Sequence, residues 1–118
     1  MEVRSREGAE AFTTLDGSTI RVLLDATLGG AAKQSLAEAS LEPGLGTQRH
    51  YHAESEEIYV FLEGGGEMEV EEDRRGVGAG DAVLIPAGAW HQITAGPEGA
   101  RFLCCCAPPY SDADTFFA

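Results

Sequence analysis

Basic residues are scarce in this chain. Only eight lysines and arginines stand against twenty acidic residues among 118, which gives a formal net charge of -12 at pH 7. A nucleic-acid partner needs clustered Lys and Arg to neutralise its phosphates, and here the few basic residues are spread along the chain. The composition therefore argues against nucleic-acid binding and disfavours anionic partners in general.

Long apolar runs and separated cysteine pairs are also missing. No apolar segment has the length needed to cross a bilayer, and the first residues are rich in charge, unlike an export signal. The three cysteines, Cys104–Cys106, are adjacent, so neighbours on an extended strand point to opposite faces and do not form a disulfide framework. We expect no membrane partner, and a cytoplasmic protein with reduced thiols.

Turn residues punctuate the chain at short, even intervals. Pairs and triplets of Gly, Pro and Asp, such as Asp16-Gly17 and Gly64–Gly66, separate short β-prone runs, which is typical of a sandwich or barrel. Residues 67–71 alternate Glu with Met and Val and predict a half-buried strand. Residues 31–41 keep no convincing helical face, and we assign them to a strand. The length predicts one domain over residues 1–118.

All three histidines fall in two short windows. His50 and His52 lie two residues apart and share one face of a strand. Glu57 opens a β-type run that ends at Gly64, and it faces the same interior if that run pairs antiparallel with the histidine strand. His91 follows an apolar strand and a turn, so a hairpin return can bring it opposite the first pair. Three imidazoles and one carboxylate suit a divalent transition metal and leave two positions free on an octahedral ion.

These two windows resemble the two sequence motifs of the cupin superfamily. The first motif, G(X)5HXH(X)3,4E(X)6G, is matched over residues 44–64 by Gly44, His50, His52, Glu57 and Gly64. The second, G(X)5PXG(X)2H(X)3N, is matched over residues 80–95 by Gly80, Pro86, Gly88 and His91, with Ala95 in place of the final asparagine.

The resemblance implies an all-β cupin jelly roll, a double-stranded β-barrel with its metal inside one mouth. It assigns the metal to His50, His52, Glu57 and His91. We expect one divalent transition metal, with Fe, Mn or Ni favoured and Zn or Cu as alternatives. Similar small cupins are often dimeric, so a homodimer is expected. The alternative is a metal-free cupin whose histidines only bind a ligand.

Period-two alternation predicts which side chains surround the metal. The candidates share a strand face with a ligand or lie in neighbouring apolar strands: Gln48, Tyr59, Phe61, Met68, Val83, Ile85 and Ile93. We expect Glu57 to act as a general base as well as a ligand, and Gln48 or Tyr59 to orient a substrate oxygen. Trp90 is expected at the mouth or at an interface, because its N–H is only a donor.

Three functions remain open. We favour an oxidoreductase of the dioxygenase type that acts on a small neutral, aromatic or enolisable metabolite at the two free positions. The alternatives are a non-redox Lewis-acid isomerase, lyase or polyketide cyclase, and a non-catalytic metabolite-binding cupin. A phosphosugar is disfavoured because no basic residue falls on an inward position, although Arg21, Lys33 and Arg101 stay unplaced. The tail, residues 108–118, is expected to be a coil whose Phe116 and Phe117 pack onto the barrel or a partner subunit.

Overall fold

The computed structural model describes all 118 residues and contains nine β-strands and no α-helix. No helix long and apolar enough to span a membrane is present. The all-β prediction is therefore confirmed. The strands are β1 (Ala11–Thr13), β2 (Thr19–Leu24), β3 (Ser35–Leu41), β4 (His50–His52), β5 (Glu56–Val70), β6 (Asp73–Gly78), β7 (Ala82–Ile85), β8 (His91–Ala107) and β9 (Thr115–Phe117).

Two long antiparallel strands, β5 and β8, organise the barrel. They stay paired from Glu56 opposite Ala107 to Val70 opposite His91. The first half of β5 also pairs with β7, and the second half of β8 continues through β3 and β2 to β1. The second half of β5 pairs with β6, and the first residue of β8 pairs with β4. Strand β4 pairs in turn with β9. The two groups of strands form two layers joined along β5 and β8, as a jelly roll requires.

The core lies between these layers. Alternate residues of β5 point inward, and Tyr59, Phe61 and Met68 are each buried. The Phe61 and Phe102 rings lie 5.0 Å apart between centroids, and Ile93 is fully buried in the same cluster. Burial of each such side chain contributes roughly 1.5–3 kcal/mol. This packing holds β5 against β8 and so fixes the strands that carry the metal-ligand candidates.

Two segments with uncertain sequence patterns form strands. The strand assigned within residues 31–41 is confirmed for Ser35–Leu41, which pairs with β8. The coil expected for the tail is wrong in part, because a 3-10 turn at Asp112–Asp114 leads into β9. The β-prone residues of β9 pair with the otherwise free edge of β4. The tail thus packs onto its own barrel, which was one of the two packing partners expected from the sequence.

Three consecutive glycines allow β5 to pass from one layer to the other. A methyl group on Gly66 would overlap the carbonyl oxygen of Thr94, and one on Gly64 would overlap that of Gly99. Gly64 also has a φ of 65°, which side-chain-bearing residues rarely adopt. The pairing with β8 shifts register at this point. Glycine is therefore required because the two backbones approach too closely for a Cβ atom.

We expect Gly66→Ala to lower the free energy of unfolding by at least about 2 kcal/mol, because β5 must move away from β8 to admit the methyl group. Gly76→Ala is the matched control, since nothing lies within 4 Å of its added Cβ. Urea unfolding followed by far-UV circular dichroism measures both. Equal midpoints for the two variants would contradict the close approach.

Candidate metal centre

The three histidines meet because β4 and β8 are neighbours. His50 lies directly opposite His91 in the antiparallel pairing, and their rings are 4.2 Å apart between centroids. His52 follows on the same face of β4. The direct pairing of the Glu57 strand with the histidine strand, which the sequence left as a condition, is not formed. β5 pairs with β8 instead, where Glu57 lies opposite Cys106, so β8 joins the carboxylate to the histidines.

The ligating atoms of these side chains converge inside the barrel. One ring nitrogen from each of His50, His52 and His91 lies within 4.8 Å of the others. Glu57 Oε1 lies 3.3 Å from His52 Nε2 and 3.4 Å from His91 Nε2. All four side chains are almost completely buried. The four residues predicted as metal ligands are thus brought together.

Backbone carbonyls determine the tautomers of two histidines. His50 Nδ1 lies 2.6 Å from the Gln48 carbonyl oxygen, and His91 Nδ1 lies 3.0 Å from that of Ala89. A carbonyl oxygen only accepts, so each Nδ1 must carry the proton. The lone pair of each neutral ring is therefore on Nε2, which faces the centre.

A hydroxyl group determines the tautomer of the third histidine. His52 Nδ1 lies 3.1 Å from Thr115 Oγ1, and the Thr115 hydroxyl donates to the Ser111 carbonyl oxygen at 2.9 Å. Because the hydroxyl proton is engaged, Thr115 accepts from His52 Nδ1–H. The tail therefore supplies an outer contact to a metal ligand, and partners of this kind orient ligating histidines.

The centre consists of acceptors without a matching donor. Glu57 Oε1 and His91 Nε2 are buried and have no hydrogen-bond partner. Buried acceptors that face one another are unfavourable unless a cation lies between them. If two ligating atoms each lie about 2.1 Å from one ion, the two atoms are about 3.0–3.4 Å apart. The distances from Glu57 Oε1 to His52 Nε2 and to His91 Nε2, 3.3 and 3.4 Å, agree with this separation. The four ligating atoms therefore fit a divalent metal ion.

The electrostatics favour the ligating forms of these groups. Burial raises the pKa of the Glu57 carboxyl, but hydrogen bonds and positive charge from His52 and His91, present when their Nε2 atoms carry protons, outweigh burial and lower that pKa to about 2. Burial, reinforced by the neighbouring His91, lowers the pKa of His50. At neutral pH Glu57 is thus ionised and His50 is neutral, and these are the forms that bind metal.

Cys106 fixes the second oxygen of Glu57. Its Sγ donates to Glu57 Oε2 at 3.2 Å, and burial together with the Glu57 charge raises the pKa of the thiol. All three cysteines are free, as expected. Cys104 and Cys106 line the cavity, whereas Cys105 points away toward Gln34. Cys106 therefore acts as a hydrogen-bond donor that orients a ligand.

A cavity of about 520 Å³ opens onto His50, His52 and Glu57. Of the side chains predicted to line it, only Tyr59 does so. Gln48 is exposed on the surface and contributes its backbone carbonyl, because the chain is not in a regular strand before His50. The remaining candidates belong to the closed core or pack against it: Phe61, Met68, Val83, Ile85 and Ile93.

The opposite wall comes from strands that carried no motif. β1, β2, β3 and the turn between β1 and β2 supply it, together with the tail. Asp16 in that turn is a cavity residue that sequence reasoning took only as turn punctuation. No local signal distinguishes it, since Asp-Gly is a common turn pair. Trp90, by contrast, lies outside the lining, where its ring meets Tyr51 and the Arg49 guanidinium.

No Lys or Arg side chain lines the cavity. Arg101 is engaged by Glu38 and Glu63, and Arg21 donates to the Ala9 carbonyl oxygen. Lys33 is exposed. The three basic residues left unplaced by the sequence are therefore all absent from the cavity wall.

A barrel of this topology, with a centre of three histidines and one carboxylate, defines the class of protein. The model of the family described as "Cupin domain" matches residues 37–106. The chain belongs to the cupin family.

Two sequence relatives extend this result. The uncharacterized protein MJ1618 of Methanocaldococcus jannaschii is 44% identical over 105 residues, which cover 88% of this chain and 84% of that protein. The dimethylsulfoniopropionate lyase DddW of Ruegeria pomeroyi is 35% identical over 82 residues, which cover 70% of this chain but only 53% of that protein.

Solved structures agree in fold. Pac13 from Streptomyces, described as a nucleoside dehydratase, superposes with a TM-score of 0.81 at 17% identity, and the match covers 98% of this chain and 88% of Pac13. KdgF from Halomonas sp. superposes with a TM-score of 0.83 at 16% identity, and the match covers 96% of this chain and 98% of KdgF. At this level of identity the likeness shows the cupin jelly roll, and the predicted fold class is confirmed.

Replacement of Thr115 tests the outer contact to His52. Thr115→Val keeps the shape but removes the acceptor, so we expect affinity for Co²⁺ to fall about tenfold. Thr13→Val, which removes a hydroxyl from the cavity wall, is the control. Competition with a chromophoric chelator measures both. Unchanged affinity in Thr115→Val would show that the tail does not orient His52.

The two thiols that face the barrel interior, those of Cys104 and Cys106, should react slowly. Burial, together with the Glu57 charge, raises the pKa of Cys104 and of Cys106, so little thiolate forms at pH 8. We expect one fast thiol per native chain with Ellman's reagent, and all three after unfolding. Cys105→Ser should remove the fast phase and Cys104→Ser should keep it, and the reverse pattern would contradict the assignment.

Proposed function

We propose that this cupin is a metal-dependent enzyme that uses its ion as a Lewis acid in a non-redox reaction of a small molecule, such as an elimination or isomerisation. One observation carries the metal: three histidine nitrogens and the Glu57 carboxylate converge, and two of these buried atoms, Glu57 Oε1 and His91 Nε2, have no hydrogen-bond partner. The relatives support the reaction class, because one is named a lyase and a structural neighbour a dehydratase.

His50, His52, Glu57 and His91 would hold the ion. The ion supplies polarisation of a substrate oxygen when it is bound. Burial raises the pKa of Tyr59, so its hydroxyl stays protonated and serves as a donor to substrate in the cavity it lines. Glu57, fixed by Cys106 and by its contacts with two histidines, acts as a ligand, and its second role as a general base remains a prediction.

The cavity walls favour an uncharged or cationic substrate. Four carboxylates line it, from Asp16, Asp25, Glu57 and Asp112, and no Lys or Arg opposes them. A phosphosugar or other anion would bring negative charge against these groups without a guanidinium to hold it. The mixture of apolar and hydroxyl-bearing walls suits a small metabolite.

An O2-dependent oxidoreductase is the second candidate. Four protein ligands leave two positions on an octahedral ion, which accommodate a substrate and O2. The apolar lining, with 12 hydrophobic residues among 23, agrees with the aromatic or enolisable metabolite expected from the sequence. A metabolite-binding cupin without turnover is the remaining alternative.

We also propose a homodimer in a cytoplasmic setting. An aromatic cluster of Tyr51, Trp90 and Phe116 lies on the outer face of β4 and β9, with Phe116 43% exposed, and this supports a homodimer. Three free cysteines support a reducing, cytoplasmic setting. A single domain over residues 1–118 agrees with one sheet that runs through the whole chain.

We expect about one equivalent of a divalent transition metal when the protein is purified anaerobically without a chelating tag. His50→Ala and His91→Ala should each lose most of it, because each removes one of four ligands. Gln48→Ala is the matched control and should keep the metal, since its side chain is exposed. Elemental analysis measures the content.

Oxygen consumption separates the two enzyme hypotheses. The loaded protein is incubated with a panel of neutral and cationic hydroxy compounds, with and without O2. Turnover that persists without O2 supports the Lewis-acid enzyme. Turnover coupled to O2 uptake would favour the oxidoreductase, and a metal-free protein that still binds ligands would overturn both.

A further inference from the structure

The turn between β1 and β2 presents a fixed carboxylate to the metal centre. Thr14 N–H donates to the Ser18 carbonyl oxygen, and Gly17 N–H donates to that of Thr14, which closes the turn. Asp16 Oδ1 accepts from Ser18 N–H at 2.9 Å and from Ser18 Oγ at 2.6 Å. Ser18 is 1% exposed. One oxygen of Asp16 is therefore held by buried contacts, which sets the direction of the other.

The other oxygen faces the histidines. Asp16 Oδ2 lies 3.8 Å from His50 Nε2, and the Asp16 side chain is 16% exposed. The Asp16 backbone carbonyl also accepts from Gln48 N–H at 2.7 Å, which ties the turn to the segment leading into β4. Glu57 contacts His52 and His91, so Asp16 approaches the one histidine that Glu57 does not contact.

The distance is suited to a contact through an exchangeable ligand. At 3.8 Å, Asp16 Oδ2 is farther from His50 Nε2 than Glu57 Oε1 is from its two histidines. Neighbouring ligands of one ion lie about 3.0–3.4 Å apart, so Oδ2 falls outside that range but within reach of a group bound beside His50. Neither cupin motif includes this position, although Asp16 lines the cavity together with His50.

We propose that Asp16 is the hydrogen-bond acceptor for the exchangeable ligand that binds the metal beside His50, so that this open position selects a protic, uncharged or cationic group and rejects anions. Water, an alcohol or an amine donates to Oδ2, whereas an anion without a proton has nothing to donate and meets the carboxylate charge. The inference rests on the proposed function and narrows its substrate to a hydroxy or amino compound.

Azide binding to the Co²⁺-loaded protein tests this directly. Azide is an anion without a proton, and its binding is followed through the visible absorption of Co²⁺. We expect Asp16→Asn to bind azide about tenfold more tightly than the unaltered chain, because one adjacent negative charge is removed. Ser18→Ala, which frees Asp16 without removing its charge, should move the affinity in the same direction by a smaller factor.

Asp112→Asn is the matched control. It removes a carboxylate from the same cavity, where Asp112 accepts from the Tyr110 hydroxyl rather than facing a histidine. Its azide affinity should stay within about twofold of the unaltered protein. Thermal unfolding of every variant verifies that the fold is kept.

The outcomes separate the two proposals. Co²⁺ binding by the unaltered chain, with azide tightened in Asp16→Asn but not in Asp112→Asn, supports the role of Asp16. Unchanged azide affinity in Asp16→Asn, equal tightening in Asp112→Asn, or loss of Co²⁺ binding in Asp16→Asn overturns that role and leaves the proposed function standing. Failure of the unaltered chain to bind Co²⁺ overturns both.

Discussion

The centre depends on lone pairs that point at one another. Three imidazole nitrogens and one carboxylate oxygen are turned inward with no proton between Glu57 Oε1 and His91 Nε2. Such an arrangement is costly in a protein interior unless positive charge occupies it, so the fold stores an unfavourable interaction that a metal ion relieves. The rest of the barrel can be understood as the framework that keeps these atoms from turning away.

That framework is built mostly of backbone. β8 pairs with the strands of both the histidines and the carboxylate, and carbonyl oxygens of Gln48 and Ala89 hold two rings in one tautomer. A carbonyl cannot exchange donor for acceptor, so these rings are fixed more firmly than side-chain partners alone would fix them. Cys106 then restrains the free oxygen of the carboxylate. Each ligand thus has an outer contact, as metal centres generally require.

The ligands were predictable and their surroundings were not. His50, His52, Glu57 and His91 stand at spacings that resemble a family pattern, so their convergence followed without knowledge of the strand pairing, which brings in Glu57 through β8 rather than through β4. Gln48 was misplaced because strict alternation was extended past the start of β4. Phe61 and Ile93 face inward as predicted, but inward in a closed barrel means the core as well as the cavity. Asp16 and Thr115 reach the site through contacts between distant segments, which local patterns do not encode.

The contact between Thr115 and His52 joins metal occupancy to the order of the tail. β9 is three residues long and lies on the edge of the sheet, so by itself it is the kind of element that opens readily. An ion that binds the intact centre more tightly than the opened one must, by thermodynamic reciprocity, hold β9 closed by the same free energy. Hydrogen exchange at this strand thereby reports metal loading, and covalent changes to residues 108–118 become a means of adjusting affinity at a buried centre to which these residues supply no ligand.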